Sequence, residues 1–260
     1  MIGTSERPSV DVAVVYVYPI TGEQIHIELA ERFIRTYKEF SAGFPHRLYV
    51  ACNGGAPGPD DYARWAGVEC EFFQHDDSGW DIGAFQHAAQ DIQCDLIVCA
   101  GGHTYWAKAG WLLRMVEAFV KFGPGLFGAS GSMERDPHIR TTTFWCHPGL
   151  LCDYPKRVTT WDERYAFEAS MESLTRLAIS QGLPCRVVTW GRTYALKRCR
   201  SIPNTFRSGD QSNTLAFDRY FDVYAEASED ERREQRRLAD TVPNSGFGGR
   251  VRAVIARIRL

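Results

Sequence analysis

The sequence predicts an α/β fold with a mixed, mostly parallel sheet that is flanked by helices on both faces. The first strand candidate, 11–18 (DVAVVYVY), is almost continuously apolar, which is typical of a strand buried on both faces of a parallel sheet. Strand-like and helix-like segments then alternate along the chain. With 260 residues, 44% of them hydrophobic, the chain is long enough for one large domain with a sizeable core.

Short apolar or β-branched runs that end at turn residues mark the strands. Pro19 ends the first run, and glycine pairs follow the runs RLYVAC and LIVCA. The run CRVVTW begins just after Gly182 and Pro184, which stop the preceding helix. In chain order, the predicted strands cover 11–18, 47–52, 68–73, 96–99, 126–130, 139–145 and 185–190.

Apolar residues spaced three and four apart mark the amphipathic helices. Ile27, Ala30 and Phe33 begin one such stripe, and Trp111, Met115 and related residues form another. Alternating acidic and basic residues (EDERREQRRLA) mark a charged helix near the end of the chain. In chain order, the predicted helices cover 22–40, 57–65, 82–92, 106–122, 163–181 and 229–239.

The segment 71–105 is the best candidate for a ligand site. Its strand, helix and strand form a βαβ unit, whose two strands are parallel. Open parallel sheets bind ligands beyond the carboxyl ends of their strands. The loops 74–81 and 100–105, which follow the two strands, are therefore expected side by side at a site.

Several function classes lack their sequence signatures. No G-x-G-x-x-G follows the first strand, and neither a P-loop nor a G-x-S-x-G elbow occurs. The net charge of −2 gives no case for nucleic acid. The sequence contains no apolar run of about 18 residues, so no membrane-spanning helix is predicted. The eight cysteines include no C-x-x-C pair, so we expect reduced thiols in a cytoplasmic protein.

Three motifs carry a resemblance to a known fold. They are Cys52-Asn53-Gly54-Gly55 at the end of a strand, Gly79-Trp80-Asp81-Ile82-Gly83-Ala84, and the later strand Asp95-Leu96-Ile97-Val98-Cys99. Together with the order of elements over 10–190, they resemble GT-A-fold glycosyltransferases, especially family-2-like bacterial polysaccharide enzymes of the rhamnan-synthesis type. The resemblance implies the nucleotide-diphospho-sugar transferase fold and a hexosyltransferase-type activity in surface polysaccharide synthesis.

The resemblance also implies a nucleotide-sugar donor, of the UDP, GDP or dTDP type. Tyr18, Asn53 and Gly54 end predicted strands and are assigned to nucleotide binding. In this fold the position of Asp81 lies near the ribose or base, and a carboxylate can accept hydrogen bonds from both ribose hydroxyls. Asp81 could equally cap the helix that begins at Ile82, and the two roles are compatible.

The acidic pair that usually holds Mn²⁺ or Mg²⁺ in these enzymes is replaced here. Gly101, Gly102 and His103 stand in its place. The glycines allow close backbone approach to a phosphate, and His103 could donate to that phosphate or ligate a metal. Asp77, in the neighbouring loop, is the other metal-ligand candidate. A structural His103 and a solvated Asp77 are the alternatives, so metal dependence stays open.

Cationic side chains could take over part of the metal's task. Alternation along the predicted strand places His138, Arg140 and Thr142 on one face. Arg140 there could neutralise the leaving diphosphate. The alternative is an arginine on a solvated strand face.

An inverting transfer needs a carboxylate that accepts the proton of the acceptor hydroxyl. In the resembling enzymes this carboxylate lies near the start of a helix that ends in glycine, and the matching helix here ends at Gly182. The resemblance therefore makes Glu168 our first candidate and Glu172 the second, and the two are four residues apart on one predicted helix face. No candidate for a covalent nucleophile occurs, so inversion is favoured over retention. Each glutamate could also be an ordinary surface residue.

We expect one transferase domain over 1–245, with a nucleotide-binding half at 10–105 and an acceptor half at 106–225. The tail 246–260 alternates apolar residues with arginines. As a helix it could lie on the anionic inner face of the plasma membrane, near a glycan or lipid-linked acceptor, or pack on its own domain. Two rival functions are a nucleotide-binding homologue that has lost catalysis and a membrane-peripheral interaction module.

Overall fold

The computed structural model describes residues 9–202, 207–209 and 211–240. Its strands are β1 (Val12–Pro19), β2 (Arg47–Asn53), β3 (Glu71–His75), β4 (Leu96–Ala100), β5 (Leu126–Gly128), β6 (Gly131–Ser132), β7 (His138–Ile139), β8 (Thr143–Cys146), β9 (Cys185–Val188) and β10 (Thr193–Ala195). Its α-helices are α1 (Gln24–Glu39), α2 (Pro59–Arg64), α3 (Trp80–Asp91), α4 (Trp111–Phe122), α5 (Pro148–Cys152), α6 (Trp161–Ala169), α7 (Leu174–Ser180), α8 (Arg219–Glu226) and α9 (Glu229–Asp240).

An eight-stranded sheet forms the centre of the domain, in the order β10-β9-β5-β8-β4-β1-β2-β3. Strands β4, β1, β2 and β3 are parallel, as are β5 and β9, whereas β8 runs antiparallel to both of its neighbours. Pro19 lies opposite Asn53, and Asn53 lies opposite His75, so β1, β2 and β3 end together at one edge. The predicted mixed, mostly parallel sheet is confirmed.

Apolar residues on both faces of the sheet explain why helices cover it twice. Ala13, Val15 and Val17 of β1 join a core that includes α3, α5, α6 and α7. Val14 and Tyr16 face the other way, into a core that includes α1 and α4. Because successive residues of a strand point to opposite faces, a strand apolar at every position requires both layers.

The single helix predicted over 163–181 is wrong, because the chain breaks between α6 and α7. Ser170 is extended (φ −106°, ψ 179°), and its hydroxyl donates to the Ala166 carbonyl (2.8 Å) and accepts from the Glu172 N–H (2.9 Å). Ser173 then caps α7 by accepting from the Arg176 N–H. Serine side chains that bond to nearby backbone compete with helix continuation, and the two serines do so here.

The strand predicted over 139–145 is also interrupted. Arg140, Thr141 and Thr142 leave the ladder between β7 and β8. The Arg140 N–H donates to the Ser130 carbonyl (3.2 Å), and the Thr142 carbonyl accepts from the Gly101 N–H (2.8 Å). This excursion carries the segment 140–142 to the carboxyl edge of the parallel strands, where the candidate site lies.

The loops that follow β3 and β4 are not neighbours at the sheet edge, because β1 and β2 separate the two strands. The first turn of α3 nevertheless reaches the second loop. A methyl group built on Gly101 would lie 3.5 Å from Asp81 Oδ2. The expected juxtaposition is therefore made by the helix of the βαβ unit rather than by its strand ends.

All eight cysteines fall in the described part of the chain and are free thiols. Within the same residues, no helix combines the length and the apolar character needed to cross a bilayer. The basic tail over 246–260 lies outside the described residues, and its membrane role stays a prediction.

Candidate active site

A polar cleft opens between α6, the segment 138–142 and the start of α8. Its charged and aromatic lining comes from elements distant in sequence: Glu134, His138, Arg140, Trp161, Arg164, Tyr165, Glu168, Arg207 and Tyr220. We call it the arginine cleft. Three of the four residues predicted as catalytic line it, including His138 and Arg140, although these two do not share one continuous strand.

Glu134 lines this cleft beside Arg207 (3.8 Å), and the other carboxylate of the cleft is Glu168. It lies in the last turn of α6, partly buried, and its Oε1 accepts from the Thr141 N–H (3.1 Å). Burial raises the pKa of Glu168. The opposing effects are larger, because the charges of His138, Arg164 and Arg140 and the hydrogen bond from Thr141 all lower it. The pKa is therefore lower than that of an ordinary glutamate. The side chain is therefore held ionised and in a fixed orientation.

Asp81 and Arg164 form a bidentate ion pair. The guanidinium Nε and Nη2 donate to the two carboxylate oxygens over 2.7 and 3.0 Å, and both side chains are mostly buried. Asp81 is not the residue that caps α3, since Gly79 holds that position, but it does lie in the first helical turn, where a negative charge is favourable. The pair joins the βαβ unit to α6.

Arg140 is paired in a similar way, and more deeply. Its Nη1 lies 3.0 Å from Asp218 Oδ2, with side-chain exposures of 7% and 2%. Asp218 also caps α8 by accepting from the N–H groups of Tyr220 and Phe221. The carboxylate thus fixes Arg140 and the start of α8 together, and the alternative of a solvated strand-face arginine is wrong.

His138 is buried, and its Nδ1 bonds to the Asp136 carbonyl (2.8 Å), which sets that nitrogen as the donor. The Asp136 carboxylate in turn receives two hydrogen bonds from Arg176 of α7, each 2.5 Å long. The imidazole is therefore held firmly in place beside Glu168, whose pKa it helps to lower.

His103 is influenced by the charges of both acidic partners of the arginines. Burial lowers its pKa, against the opposing effect of Asp218 and Asp81. The preceding glycines are required by packing within the protein. A methyl group on Gly101 would lie 3.2 Å from the Thr142 carbonyl oxygen, and one on Gly102 would lie 3.0 Å from that of Val17. Their approach to a phosphate stays a prediction.

The residues assigned to the nucleotide are held at the ends of β1, β2 and β3. The Tyr18 hydroxyl donates to Asp61 (2.5 Å) of α2. The Asn53 side chain accepts from His75 Nδ1 (2.6 Å) and donates to Asp77. Gly54, at φ +88°, donates its N–H to the His75 carbonyl. These contacts shape one edge of the site, and ligand contacts there stay predictions.

The metal role predicted for His103 and Asp77 stays a prediction. Throughout residues 9–202, 207–209 and 211–240, no group of three or more His, Cys, Asp or Glu side chains is arranged to hold an ion. Asp77 is bonded to Asn53, and burial raises its pKa despite that hydrogen bond. We therefore assign no chemical step to a metal bound by His103 and Asp77.

Glu172 lies apart from this constellation. It sits in the turn between α6 and α7, exposed, with Oε2 at 2.6 Å from Lys156 Nζ. It does not share a helix face with Glu168, because the helix ends at Ala169. The prediction that the two glutamates share a helix face is therefore wrong, and of the two only Glu168, the first candidate, lines the arginine cleft.

A second depression of about 310 Å³ lies between α3 and the segment 151–157. Its charges are largely paired with each other or with nearby surface residues, as in His87 with Asp91 (3.1 Å) and Lys156 with Glu172 (2.6 Å). It lacks a carboxylate held among cations, so the chemistry is assigned to the smaller arginine cleft.

Arg164 is the main site residue that sequence reasoning missed. One turn before Glu168 on α6, it carries the ion pair with Asp81 and affects the pKa of Glu168. The i, i+4 spacing with Glu168 was a readable signal. Asp218 is a second residue that the sequence does not point to, because no sequence signal joins it to Arg140, 78 positions away.

No protein-family model matches the chain, and no curated protein matches it. Similar solved structures include HddC from Yersinia pseudotuberculosis, with 14% identity over 57% of this chain and 82% of that chain (TM-score 0.43). The mannosyltransferase PcManGT from Pyrobaculum calidifontis, in complex with GDP-Man and Mn²⁺, has 16% identity over 55% of this chain and 46% of its own (TM-score 0.43). Mouse xyloside xylosyltransferase 1, in its apo form, has 9% identity over 67% and 82% (TM-score 0.45).

Proposed function

We propose that the protein is a glycosyltransferase that moves a sugar from a nucleotide-sugar donor to a glycan or lipid-linked acceptor with inversion. The observation that carries this proposal is Glu168, a carboxylate fixed by the Thr141 N–H and surrounded by His138, Arg140 and Arg164 in one cleft. The reaction needs such a pairing, because a proton is accepted at one point while negative charge develops nearby.

In the proposed reaction, the acceptor hydroxyl oxygen attacks the anomeric carbon of the donor. The bond between that carbon and the phosphate oxygen breaks, and the nucleoside diphosphate leaves with the bonding electrons. The hydroxyl proton passes to Glu168. A glutamate that starts ionised accepts this proton without a prior deprotonation step.

The leaving diphosphate would be stabilised by Arg140, Arg164 and His103. Each guanidinium has five N–H donors, so an arginine already paired with a carboxylate keeps donors for phosphate oxygens. The pairs with Asp218 and Asp81 fix the two arginines before the substrate binds. Such preorganisation lowers the cost of ordering the site during the reaction.

The nucleoside would bind along Tyr18, Asn53, Gly54 and Asp81, at the carboxyl ends of the parallel strands. This edge is where open α/β sheets bind nucleotides. The resemblance stated from the sequence supports a UDP-, GDP- or dTDP-sugar and a role in bacterial surface polysaccharide synthesis. We also propose a cytoplasmic location, with the basic tail 246–260 on the inner membrane surface.

The first experiment separates nucleotide binding from catalysis. Thermal shift with UDP, GDP and dTDP, each with and without Mn²⁺, measures binding. Release of nucleoside diphosphate from a panel of nucleotide sugars measures transfer or hydrolysis. We expect at least one nucleotide to stabilise the protein and its sugar conjugate to be turned over.

The variant Glu168→Gln should lower turnover by about 100- to 10,000-fold, the usual contribution of a general base, with nucleotide binding retained. The matched control is Glu172→Gln, which removes the exposed carboxylate bonded to Lys156 and should leave turnover within about two-fold, since surface substitutions have small effects. Equal losses in both variants would argue against Glu168 as the base. Binding without turnover in the wild-type protein would favour the inactive homologue.

A further inference from the structure

Two tryptophans meet at the protein surface although they belong to different elements. Trp80 begins α3 and Trp161 begins α6. Their side chains are 39% and 36% exposed, and their rings are perpendicular, with centroids 5.4 Å apart. Large aromatic rings left accessible to solvent in contact with each other mark a binding surface more often than a single exposed residue does.

The pair stands at the mouth of the arginine cleft. Trp161 lines the cleft, and the Arg164 guanidinium lies over its ring, 5.1 Å from the centroid. Trp80 directly precedes Asp81, the partner of Arg164. Trp161 and Glu168 are two helical turns apart, about 10 Å along the axis of α6, so the rings lie beside the reacting position rather than on it.

The backbone at Trp80 is held in a conformation that disfavours its side chain. Trp80 has φ +53°, in the left-handed region, directly after Gly79 at φ +74°. Position 79 has no room for a side chain, because a methyl group on Gly79 would lie 2.0 Å from the Val158 carbonyl oxygen. Glycine would adopt the Trp80 conformation more easily than tryptophan does. A strained residue that also exposes its ring is a candidate for function.

We propose that Trp80 and Trp161 form a stacking platform for a sugar ring of the acceptor glycan. This inference rests on the proposed function and adds the acceptor subsite to it. An indole face packs against the apolar C–H face of a pyranose. The Arg164 guanidinium, which lies over the Trp161 ring, carries N–H donors of the kind that sugar hydroxyls need.

The charged surroundings favour a glycan over a protein or lipid partner. Arg164 and Asp81 border the rings, and Glu163 lies in the capping box at the start of α6. An apolar partner seated on the tryptophans would remove water from these charges, which is costly. A polyhydroxylated ligand would replace the lost water with hydrogen bonds and still cover the rings.

The test measures two ligands independently by isothermal titration calorimetry. The probes are cellopentaose, chitopentaose, mannopentaose and a rhamnose oligosaccharide, with UDP and GDP titrated separately and also added to saturation. The variants are Trp80→Ala, Trp161→Ala and the conservative Trp80→Phe and Trp161→Phe. Tyr62→Ala, which removes an aromatic ring that is 54% exposed on α2, is the matched control. Trp80→Gly, which suits the local φ, replaces Trp80→Ala if the latter fails to fold.

We expect at least one oligosaccharide to bind the wild-type protein and the alanine variants to lose at least ten-fold in its affinity. The phenylalanine variants and Tyr62→Ala should stay within about three-fold, a difference smaller than one tenfold step of 1.4 kcal/mol. Nucleotide affinity should be unchanged in every variant.

Three results would overturn the platform. The first is an oligosaccharide affinity that is unchanged in the alanine variants. The second is a wild-type protein that binds no oligosaccharide, with or without nucleotide. The third is alanine variants that lose affinity for UDP or GDP in place of affinity for the glycan. The last would indicate that a nucleobase stacks on the rings. Each is compatible with nucleotide binding and turnover by the wild-type protein and so spares the proposed function. Absence of both nucleotide binding and turnover in the wild-type protein would instead count against the proposed function.

Discussion

Glu168 combines two properties that normally oppose each other in a general base. Its neighbours hold the carboxylate ionised, and the same lowering of the pKa makes it a weak proton acceptor in the free protein. A bound diphosphate would change this balance, because its negative charge compensates Arg140 and Arg164. The base would then become stronger when the donor is in place.

This argument predicts the pH dependence of the reaction. The acid limb of kcat/KM reports the free enzyme, and the acid limb of kcat reports the substrate complex. We expect the limb of kcat/KM below the ordinary glutamate value of about 4.3 and the limb of kcat at a higher pH. Steady-state rates between pH 4 and 8 at saturating and limiting donor measure both. Limbs that coincide, or a lower limb for kcat, would contradict the argument.

At the residue scale, the sequence indicated most of the charged groups but not their partners. His138, Arg140 and Glu168 were named from pattern and resemblance, and they line one cleft. The ion pairs of Arg140 with Asp218 and of Arg164 with Asp81 were not predicted. Such pairs join positions 78 and 83 residues apart, and one sequence without a fold gives no distance between them.

Helix α8 is held in position by two carboxylates, Asp218 and Asp222. Asp218 caps the helix through two backbone N–H groups and neutralises buried Arg140. Arg32 and the Tyr105 hydroxyl add a second attachment, since both donate to Asp222 of the same helix. The start of α8 is therefore fixed against both α1 and the site.

Substitutions of Asp218 should separate these two contributions. Asp218→Asn keeps an oxygen that caps the helix but removes the charge that pairs with Arg140. We expect a loss of about 3 kcal/mol in the free energy of unfolding, because a buried charge loses its partner. Asp218→Ala removes the cap as well and should cost about 0.5–2 kcal/mol more.

Urea unfolding followed by circular dichroism measures both losses. Asp230→Asn, on the exposed surface of α9, is the control and should change stability by less than about 0.5 kcal/mol. If Asp218→Asn were as stable as the wild-type protein, the ion pair would not hold α8 in place.

At the element scale, periodicity located the long helices and buried strands, and it failed where side chains bond to backbone. The break between α6 and α7 follows from the hydroxyls of Ser170 and Ser173. Gly79 and Gly83 belong to the motif that suggested the fold family, and packing explains why each of them is a glycine. Methyl groups on them would lie 2.0 Å from the Val158 carbonyl oxygen and 1.8 Å from that of Ser78. The motif thus fixes the turn that presents Trp80 and Asp81.

Three histidines make the stability of the whole molecule depend on pH in the same direction. Burial is the largest influence on His46, His75 and His103, and in each it lowers the pKa below the ordinary value of about 6.5. His75 shows the reason most clearly. Its Nδ1 bonds to Asn53, while its buried Nε2 has no hydrogen-bond partner among the described residues. Burial therefore disfavours protonation of Nε2 in the folded protein, whereas in the unfolded chain water can solvate the charged imidazole.

The sign of the pH dependence follows from this difference. Below about pH 6.5 the unfolded chain binds protons on these histidines that the folded protein does not, so the free energy of unfolding falls as the pH falls. Urea unfolding at pH 7.5, 6.5 and 5.5 should show a steeper loss between pH 6.5 and 5.5 than between pH 7.5 and 6.5, and His75→Gln should reduce that slope. His147→Asn, which replaces an exposed histidine and keeps an N-cap side chain for α5, should leave the slope unchanged. A stability that stays constant or rises on acidification would mean that the buried imidazoles take up protons in the folded protein, and that this fold tolerates positive charge in its interior.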